Sequence, residues 1–172
     1  ATMLKDSPNM GTGTVTVKND PRVLPMGGFL RKTKINELSQ LINIFKGDMS
    51  VIGPRPQTQR CFDAFPESAQ NDITKVRPGL SGIGSVVFRS EEDMMHANAD
   101  PDRFYDDVIM PYKGKLESWY VRNNSVWNYL LLIALTILVI LTRSTRLIFQ
   151  CYTSLPRPPE ELNSFIASDY YE

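Results

Sequence analysis

The chain has 172 residues, the size of one ordinary domain, and its apolar share of 42% is enough for a core, which excludes wholesale disorder. The formal net charge is zero, so no overall basic field points to nucleic acid as a partner, and any anion site must be local. Two cysteines without a CxxC pair and a single histidine exclude the usual zinc spacings and argue against a disulfide scaffold.

The N-terminal part of the chain changes from breaker-rich sequence to a periodic apolar pattern. Prolines and glycines crowd residues 6–28, and the alternation at residues 14–17 predicts one arm of a hairpin. Residues 34–46 are predicted to form a helix, with Thr33 as its N-cap and Gly47 as its stop. The apolar residues at helical spacing are Ile35, Leu38, Leu41, Ile42 and Phe45.

Short elements separated by proline and glycine are predicted for the middle of the chain. Helices are expected over residues 58–75 with a break at Pro66, over residues 91–95, and over residues 101–120. The apolar run at residues 85–88 is a candidate for a short strand.

A long apolar run at residues 126–142 is the most informative stretch. From Tyr129 to Thr142, 14 residues carry no charge, whereas a membrane-spanning helix needs roughly 20. Aromatic and arginine flanks are typical of a helix lying in a membrane surface, but a core helix of a soluble domain fits the run equally well. The proline-rich residues 155–161 predict a stiff linker. We therefore expect a domain at residues 1–150 and a linker with a tail at residues 151–172.

Two arginine-bearing segments are candidates for anion binding. In residues 31–37, Arg31 precedes a predicted helix and Glu37 falls in its first turn. A helix N-terminus attracts phosphate, and an ionised carboxylate there can bind a divalent metal, although spacing alone favours an ordinary capped helix. Arg55 lies between two prolines that restrict the backbone. A pre-aimed guanidinium suits a diphosphate, and a salt-bridged surface turn is the alternative.

Arg77 opens a third segment, residues 76–82, which is again a rigid basic loop and is followed by Arg89. The sequence has no GxxxxGK[ST] and no GxGxxG motif. With one histidine it offers no defensible Ser/His/Asp arrangement, and His96 is interpreted as a solvated or hydrogen-bonded residue.

Together these segments resemble the bacterial sugar transferase family, the monotopic polyprenyl-phosphate hexose-1-phosphate transferases. The matching motifs occur in family order over residues 1 to about 145, and KGDMS followed by GPRP is highly specific. The motifs are Asp20-Pro21-Arg22-Val23, Gly28-Phe29-Leu30-Arg31-Lys32, Asn36-Glu37-Leu38-Ser39-Gln40-Leu41, Lys46-Gly47-Asp48-Met49-Ser50, Gly53-Pro54-Arg55-Pro56, Val76-Arg77-Pro78-Gly79 and Trp119-Tyr120-Val121-Arg122-Asn123.

The resemblance implies a reaction, a fold and a location. Such enzymes transfer a sugar-1-phosphate from a UDP-sugar to undecaprenyl phosphate with Mg²⁺ and release UMP, which starts the assembly of a surface glycan such as exopolysaccharide, capsule or O-antigen. The implied fold is α+β, with short helices around a small β-hairpin. Helices would lie in the cytosolic face of the bacterial inner membrane, which favours the interface reading of residues 126–142 and makes membrane lipids a partner. Nucleic acid is not an expected partner.

The resemblance also assigns roles to individual residues. Glu37 would hold Mg²⁺, while Arg31, Arg55 and Arg77 would hold the diphosphate. Arg89 matches a closing arginine of the family and is a predicted donor contact. Glu117 stands where members often have Asp and is a predicted second acidic group at the site.

Two departures from the family pattern are visible. Asn36 occupies the position of the aspartate that is taken to attack the phosphate, and an amide is a poor nucleophile. Three routes stay open: another carboxylate such as Glu37 attacks, the lipid phosphate attacks directly, or the protein is inactive. The family also has an N-terminal membrane-dipping helix and an upstream lysine, which are expected to be absent because the sequence starts after that position.

Two further readings compete with the transferase. A catalytically inactive, membrane-attached scaffold that binds nucleotide sugar or partner enzymes is supported by Asn36 alone. A soluble protein whose residues 126–142 form a core helix is the other.

Overall fold

The structure is a computed structural model that describes residues 22–27, 38–96, 98, 100–142 and 144–166. The predicted hairpin arm at residues 14–17, the N-cap Thr33, and the site residues Arg31, Asn36 and Glu37 lie outside these ranges. The described part is mostly helical. In chain order its elements are α1 (Leu38–Lys46), β1 (Ser50–Ile52), α2 (Gln59–Asp63), α3 (Glu67–Ile73), β2 (Gly79–Ser81), α4 (Ile83–Val87), α5 (Glu91–His96), α6 (Pro101–Phe104), a π-helical turn (Tyr105–Ile109), α7 (Met110–Arg122), α8 (Val126–Thr142), α9 (Arg146–Cys151) and α10 (Glu160–Ile166).

The sheet differs from the prediction. Within the described ranges it has two strands, β1 and β2, which run parallel with Ser50 opposite Gly79 and Ile52 opposite Ser81. The implied hairpin is therefore not what these strands form. The strand predicted at residues 85–88 is wrong, because Ile83–Val87 is a helix that starts after Gly82. A short apolar run does not distinguish a buried strand from a buried helix by periodicity.

Proline and glycine end the helices where the sequence predicts. Pro66 separates α2 from α3 and takes the N-cap position of α3. Gly47 follows α1 with a φ of 83°, the left-handed conformation that glycine adopts without steric cost at a helix end. Asp100 caps α6, since its carboxylate accepts from the Arg103 N–H at 3.1 Å.

One helix runs almost continuously from Pro101 to Arg122 and forms the centre of the core. A π turn at residues 105–109 interrupts it just before Pro111. Proline has no N–H and clashes with the carbonyl four residues back, so a wider turn here relieves the conflict. Met110 and Leu116 on α7 are fully buried. Gly114 lets α3 approach, because a Cβ there would lie 3.2 Å from the Cβ of Ala69.

A buried carboxylate joins α3 to α7. Asp72 accepts hydrogen bonds from Lys75 Nζ at 2.8 Å, from Ser118 Oγ and from Arg122 Nε at 2.8 Å. These donors, with Lys75 contributing most and Ser118 next, hold the pKa of Asp72 well below its usual range. The carboxylate is therefore ionised at neutral pH and fixes α3 on the C-terminal half of α7.

Helix α8 occupies residues 126–142, the range that the sequence predicts. Leu132, Leu135 and Val139 form a buried seam against the core. The remaining surface is apolar as well, with Trp127 81% and Leu141 74% exposed. Across the described ranges, no helix has both the length and the apolarity that crossing a membrane requires.

The C-terminal segment is part of the core. Leu155, Leu162 and Ile166 are buried, although residues 155–161 are predicted as a linker. Tyr112 on α7 donates from its hydroxyl to the Pro156 carbonyl at 2.8 Å, and Trp119 donates from Nε1 to Ser154 Oγ at 3.2 Å. The division at residue 150 stays a prediction, but residues 152–166 pack on the same core as α7.

Candidate active site

Backbone hydrogen bonds join two loops that adjoin the parallel strands and carry the arginine motifs of the sequence. The loop after β1 contains Gly53 and Arg55, and the loop before β2 contains Arg77 and Gly79. The backbones are joined by hydrogen bonds from Ser50 N to Pro78 O at 2.8 Å, from Gly79 N to Pro54 O at 2.9 Å, and from Gly53 N to Ser81 O at 2.9 Å. Arg55 and Arg77 therefore extend from one junction, although they are far apart in the sequence. This junction comprises β1, β2 and the adjoining loops at residues 53–56 and 76–79.

Glycines are required at this junction by the closeness of the backbones. A Cβ on Gly79 would lie 2.5 Å from the carbonyl oxygen and 2.6 Å from the Cα of Gly53. A Cβ on Gly82 would overlap the same Gly53 carbonyl. Since Cβ atoms do not approach other atoms this closely, any larger residue at Gly79 or Gly82 must push the two loops apart.

Arg77 lines a cavity of about 300 Å³. The hydroxyls of Ser50 and Tyr129 lie 3.1 Å apart at this cavity and share a hydrogen bond. Burial raises the pKa of Tyr120 to about 12, with smaller effects of Tyr129 and Glu117 in the same direction, so its phenol keeps its proton at neutral pH. The lining residues are Ser50, Ile52, Gly53, Val76, Arg77, Tyr120, Asn124 and Tyr129.

Arg55 lines a second cavity of about 210 Å³, and Val76 belongs to the lining of both cavities. This cavity is more apolar than the first, with Pro54, Phe62 and Phe65 in its wall. The structure thus brings two of the three predicted diphosphate arginines, Arg55 and Arg77, to neighbouring cavities that share one wall residue. It does not place both in a single cavity.

The KGDMS motif forms the turn between α1 and β1. The amides of Asp48 and Met49 donate to the Asn43 carbonyl at 2.9 and 3.1 Å, which closes the C-terminal end of α1. Arg77 Nη1 lies 3.7 Å from the position of a Cβ on Gly47, in ordinary contact distance. The turn therefore sits directly beside the Arg77 side chain.

Glu117 lies behind the junction and does not line the Arg77 cavity. It is 2% exposed, and one of its carboxyl oxygens, Oε2, has no hydrogen-bond partner. Burial raises its pKa to about 8, while the nearby Lys113 ammonium and the Gly84 N–H act in the opposite direction. At neutral pH the carboxyl is therefore mostly protonated. Its predicted role at the site stays a prediction.

The remaining predicted residue, Arg89, is bound to the last turns of α8. Its exposed side chain donates from Nη1 to the Val139 carbonyl at 2.6 Å. The structure therefore shows a contact that orients Arg89 along α8. Its role as a donor contact stays a prediction.

Four polar residues of the Arg77 cavity, Ser50, Tyr120, Asn124 and Tyr129, were not among the predicted site residues. Ser50 belongs to the quoted KGDMS motif and Tyr120 to the quoted WYVRN motif, so their positions carried a signal that was read as family pattern only. Asn124 and Tyr129 had no such signal. Tyr129 was read as the start of an apolar run, and its contact with Ser50 spans 79 positions in the sequence.

The sequence of the chain matches a known protein family. The family profile described as bacterial sugar transferase matches residues 1–143, and the chain belongs to this family. A Haemophilus influenzae protein named uncharacterized sugar transferase is 36% identical over 127 residues, 74% of this chain and 23% of that protein. The undecaprenyl-phosphate galactose phosphotransferase of Salmonella typhimurium is 34% identical over 127 residues, again 74% of this chain and 23% of the relative.

A third relative has a different sugar in its name. The UDP-glucose:undecaprenyl-phosphate glucose-1-phosphate transferase of Escherichia coli is 31% identical over 127 residues, which make up 72% of this chain and 25% of that protein. The chain thus spans about a quarter of the length of these curated relatives.

Proposed function

We propose that this chain transfers a hexose-1-phosphate from a UDP-sugar to undecaprenyl phosphate. The observation that carries the proposal is the junction that presents Arg55 and Arg77 from two rigid, backbone-fastened loops. A guanidinium can make two parallel hydrogen bonds to phosphate oxygens, and a fixed loop lowers the entropic cost of aiming it. Two of the relatives are named for sugar transfer to undecaprenyl phosphate.

In the proposed reaction, the phosphorus attached to the sugar changes its oxygen partner. The bond from this phosphorus to the bridging oxygen of the diphosphate breaks, and UMP leaves with that oxygen and its electron pair. A new bond to an oxygen of the lipid phosphate forms, which gives a polyprenyl-diphosphate sugar. Arg31, Arg55 and Arg77 would offset the charge of the diphosphate during this exchange.

Mg²⁺ is the proposed cofactor, with Glu37 as its ligand next to the N-terminal end of α1. When bound, the ion would offset phosphate charge. Among the residues that the structure describes, no group of three histidine, cysteine or acidic side chains is arranged to hold a metal. Glu117 is not proposed as a second ligand, because it is buried and does not line the Arg77 cavity. The proposal for metal binding therefore depends on Glu37.

A route that does not use the usual aspartate is needed because Asn36 occupies its position. Two described carboxyls are held within the fold: Asp72 accepts three hydrogen bonds, and Glu117 is enclosed behind the junction. We favour direct attack by the lipid phosphate, and attack by another carboxylate such as Glu37 is the alternative that an adduct on the unchanged chain would reveal.

The proposed location is the cytosolic face of the bacterial inner membrane. The exposed apolar side chains of α8 support a lipid contact, because a monomeric soluble surface rarely shows so large an apolar patch. Helix α1 adds Phe45, which is 91% exposed. Aromatic residues such as Trp127 are favoured at the headgroup level of a bilayer.

A UMP-release assay tests the proposed function. The full chain is mixed with Mg²⁺, undecaprenyl phosphate and a panel of UDP-sugars, and UMP is measured. We expect release with at least one donor, and we expect Glu37→Ala to abolish it, because the metal ligand is lost. Glu160→Gln, an exposed change on α10, serves as the control. No UMP from any donor would favour the inactive scaffold instead.

Restoring the family residue at Asn36 gives a separate prediction. Asn36→Asp introduces a carboxylate that can attack the sugar phosphate, so we expect a trapped phosphosugar–protein adduct when donor is added without acceptor. Intact-protein mass spectrometry measures the added mass. The unchanged chain should give no adduct under the same conditions. An adduct on the Asn36 protein would show that another residue attacks.

A further inference from the structure

The hydroxyl groups in the Arg77 cavity have a hydrogen-bonding capacity that matches an alcohol. Ser50 Oγ and Tyr129 Oη lie 3.1 Å apart, so one of the two protons is used between them. The pair keeps one proton to donate and several lone pairs to accept. An ionised phosphate oxygen only accepts hydrogen bonds, whereas a sugar hydroxyl can donate and accept at the same time.

The Arg77 side chain adds a positive charge to the lining of the same cavity. Arg77 lines it together with Ser50 and Tyr129, and the Asn124 side chain adds an amide that both donates and accepts. A hexose-1-phosphate has this composition, with several hydroxyls and one anionic end. The volume of about 300 Å³ lies at the lower end of the range for small-molecule sites.

The neighbouring Arg55 cavity is the more apolar of the two and complements the hydroxyl-lined Arg77 cavity. Arg55 lines it beside Phe62 and Pro54, and Val76 lines both this cavity and the hydroxyl-lined one. A UDP-sugar has a flat nucleoside at one end, a hydroxyl-rich hexose at the other and a diphosphate between them. The order of the two cavities, one apolar and one hydroxyl-lined with an arginine in each, follows the order of these chemical groups.

We propose that Ser50, Tyr129 and Asn124 form the hexose-recognition site of the donor, with its phosphate against Arg77. This assignment rests on the proposed function, because it takes a UDP-sugar as the donor. The pair of hydroxyls selects among hexoses by the orientation of the hydroxyl it meets. Tyr129 lies in the first turn of α8, so the hexose contact and the exposed apolar surface belong to the same helix.

Binding of UMP and of UDP-hexoses to the same variant separates the sugar contact from the nucleotide contact. UMP has no hexose, so Tyr129→Phe should leave its dissociation constant unchanged. The same variant should weaken UDP-glucose, UDP-galactose or UDP-N-acetylgalactosamine, whichever binds the unchanged chain best, by about fivefold, the effect of one neutral hydrogen bond. Calorimetric titration with Mg²⁺ and without lipid acceptor measures both constants.

Further variants test the pairing of the two hydroxyls. Ser50→Ala should show the same selective loss, and the double variant should lose little more than either single one, because the two hydroxyls act as a unit. Tyr112→Phe is the matched control, since its hydroxyl donates to Pro156 away from the cavity. It should bind both ligands as the unchanged chain does.

The remaining outcomes distinguish failure of this inference from failure of the proposed function. Equal weakening of UMP and UDP-hexose by Tyr129→Phe would overturn the hexose assignment, as would no weakening of either. Binding of UMP without binding of any of the three donors would also overturn it. If the chain binds neither UMP nor a donor, the proposed function itself fails and this inference falls with it.

Discussion

Replacing Glu117 with glutamine should stabilise the protein above about pH 5 and remove a large part of the pH dependence of its stability. The carboxyl is buried behind Gly84, and burial raises its pKa to about 8 from an ordinary value near 4.5. Glutamine is nearly the same size and keeps an acceptor for the Gly84 N–H. It never carries a charge, so no ionisation penalty arises in the buried position.

The direction follows from proton binding. Between about pH 4.5 and 8 the unfolded chain has lost this proton while the folded chain retains it, so the free energy of unfolding falls as pH rises. The slope is about 1.4 kcal/mol per pH unit for one proton. The contribution of Glu117 is thus most favourable below pH 4.5, and it falls by roughly 3 kcal/mol by pH 7 and levels off above pH 8.

Urea unfolding at several pH values measures the effect. The difference in unfolding free energy between Glu117→Gln and the unchanged chain should grow by roughly 3 kcal/mol from pH 4.5 to 7. Glu160→Gln, at an exposed position on α10, should give a difference that hardly changes. A difference for Glu117→Gln that is constant with pH would show that this carboxyl ionises normally in the folded protein.

The second large effect is expected at the junction of the two arginine loops. Gly79→Ala places a Cβ in direct overlap with the backbone of Gly53, and neither backbone can yield without breaking the bonds between β1 and β2. We expect a loss of more than about 3 kcal/mol of stability, at the upper end of overpacking effects. Donor binding should be lost as well, because Arg55 and Arg77 separate.

Gly47→Ala is the matched control for this experiment. Its Cβ would meet no atom closer than 3.7 Å, so only the positive φ of 83° is unfavourable, at about 1 kcal/mol. Thermal and urea unfolding of both variants, with UMP titration, gives the comparison. If Gly79→Ala proves no more destabilising than Gly47→Ala, the loops do not approach as closely as described.

The helices could be predicted from sequence because their signals are local. The break at Pro66 and the stop at Gly47 are enforced by single residues, and the apolar run at residues 126–142 gave the bounds of α8 directly. The exposed side of α8 could not be predicted. An apolar run has the same composition whether it is buried or exposed, and only the packing of Leu132, Leu135 and Val139 shows which side faces the core.

The parallel strand pair and the cavities could not be predicted because they depend on contacts between distant segments. Strands of three residues are too short to show alternation, and glycines at 53 and 79 signal a close approach without naming the partner. The sequence marked Arg55 and Arg77 as rigidly held cations, but their placement in two neighbouring cavities is a tertiary result. The burial of Glu117 is another, since a charged residue is rarely fully buried.

Residues after α8 belong to the core although they lie outside the matched family region. The match to the family ends at residue 143, yet three fully buried side chains, Ile148, Leu162 and Ile166, come from beyond it. The matched family region and the buried core therefore have different boundaries in this protein. A version trimmed to the shared region would retain all the arginines of the junction but lose part of the wall that supports α7, and we expect it to aggregate rather than to behave as a minimal enzyme.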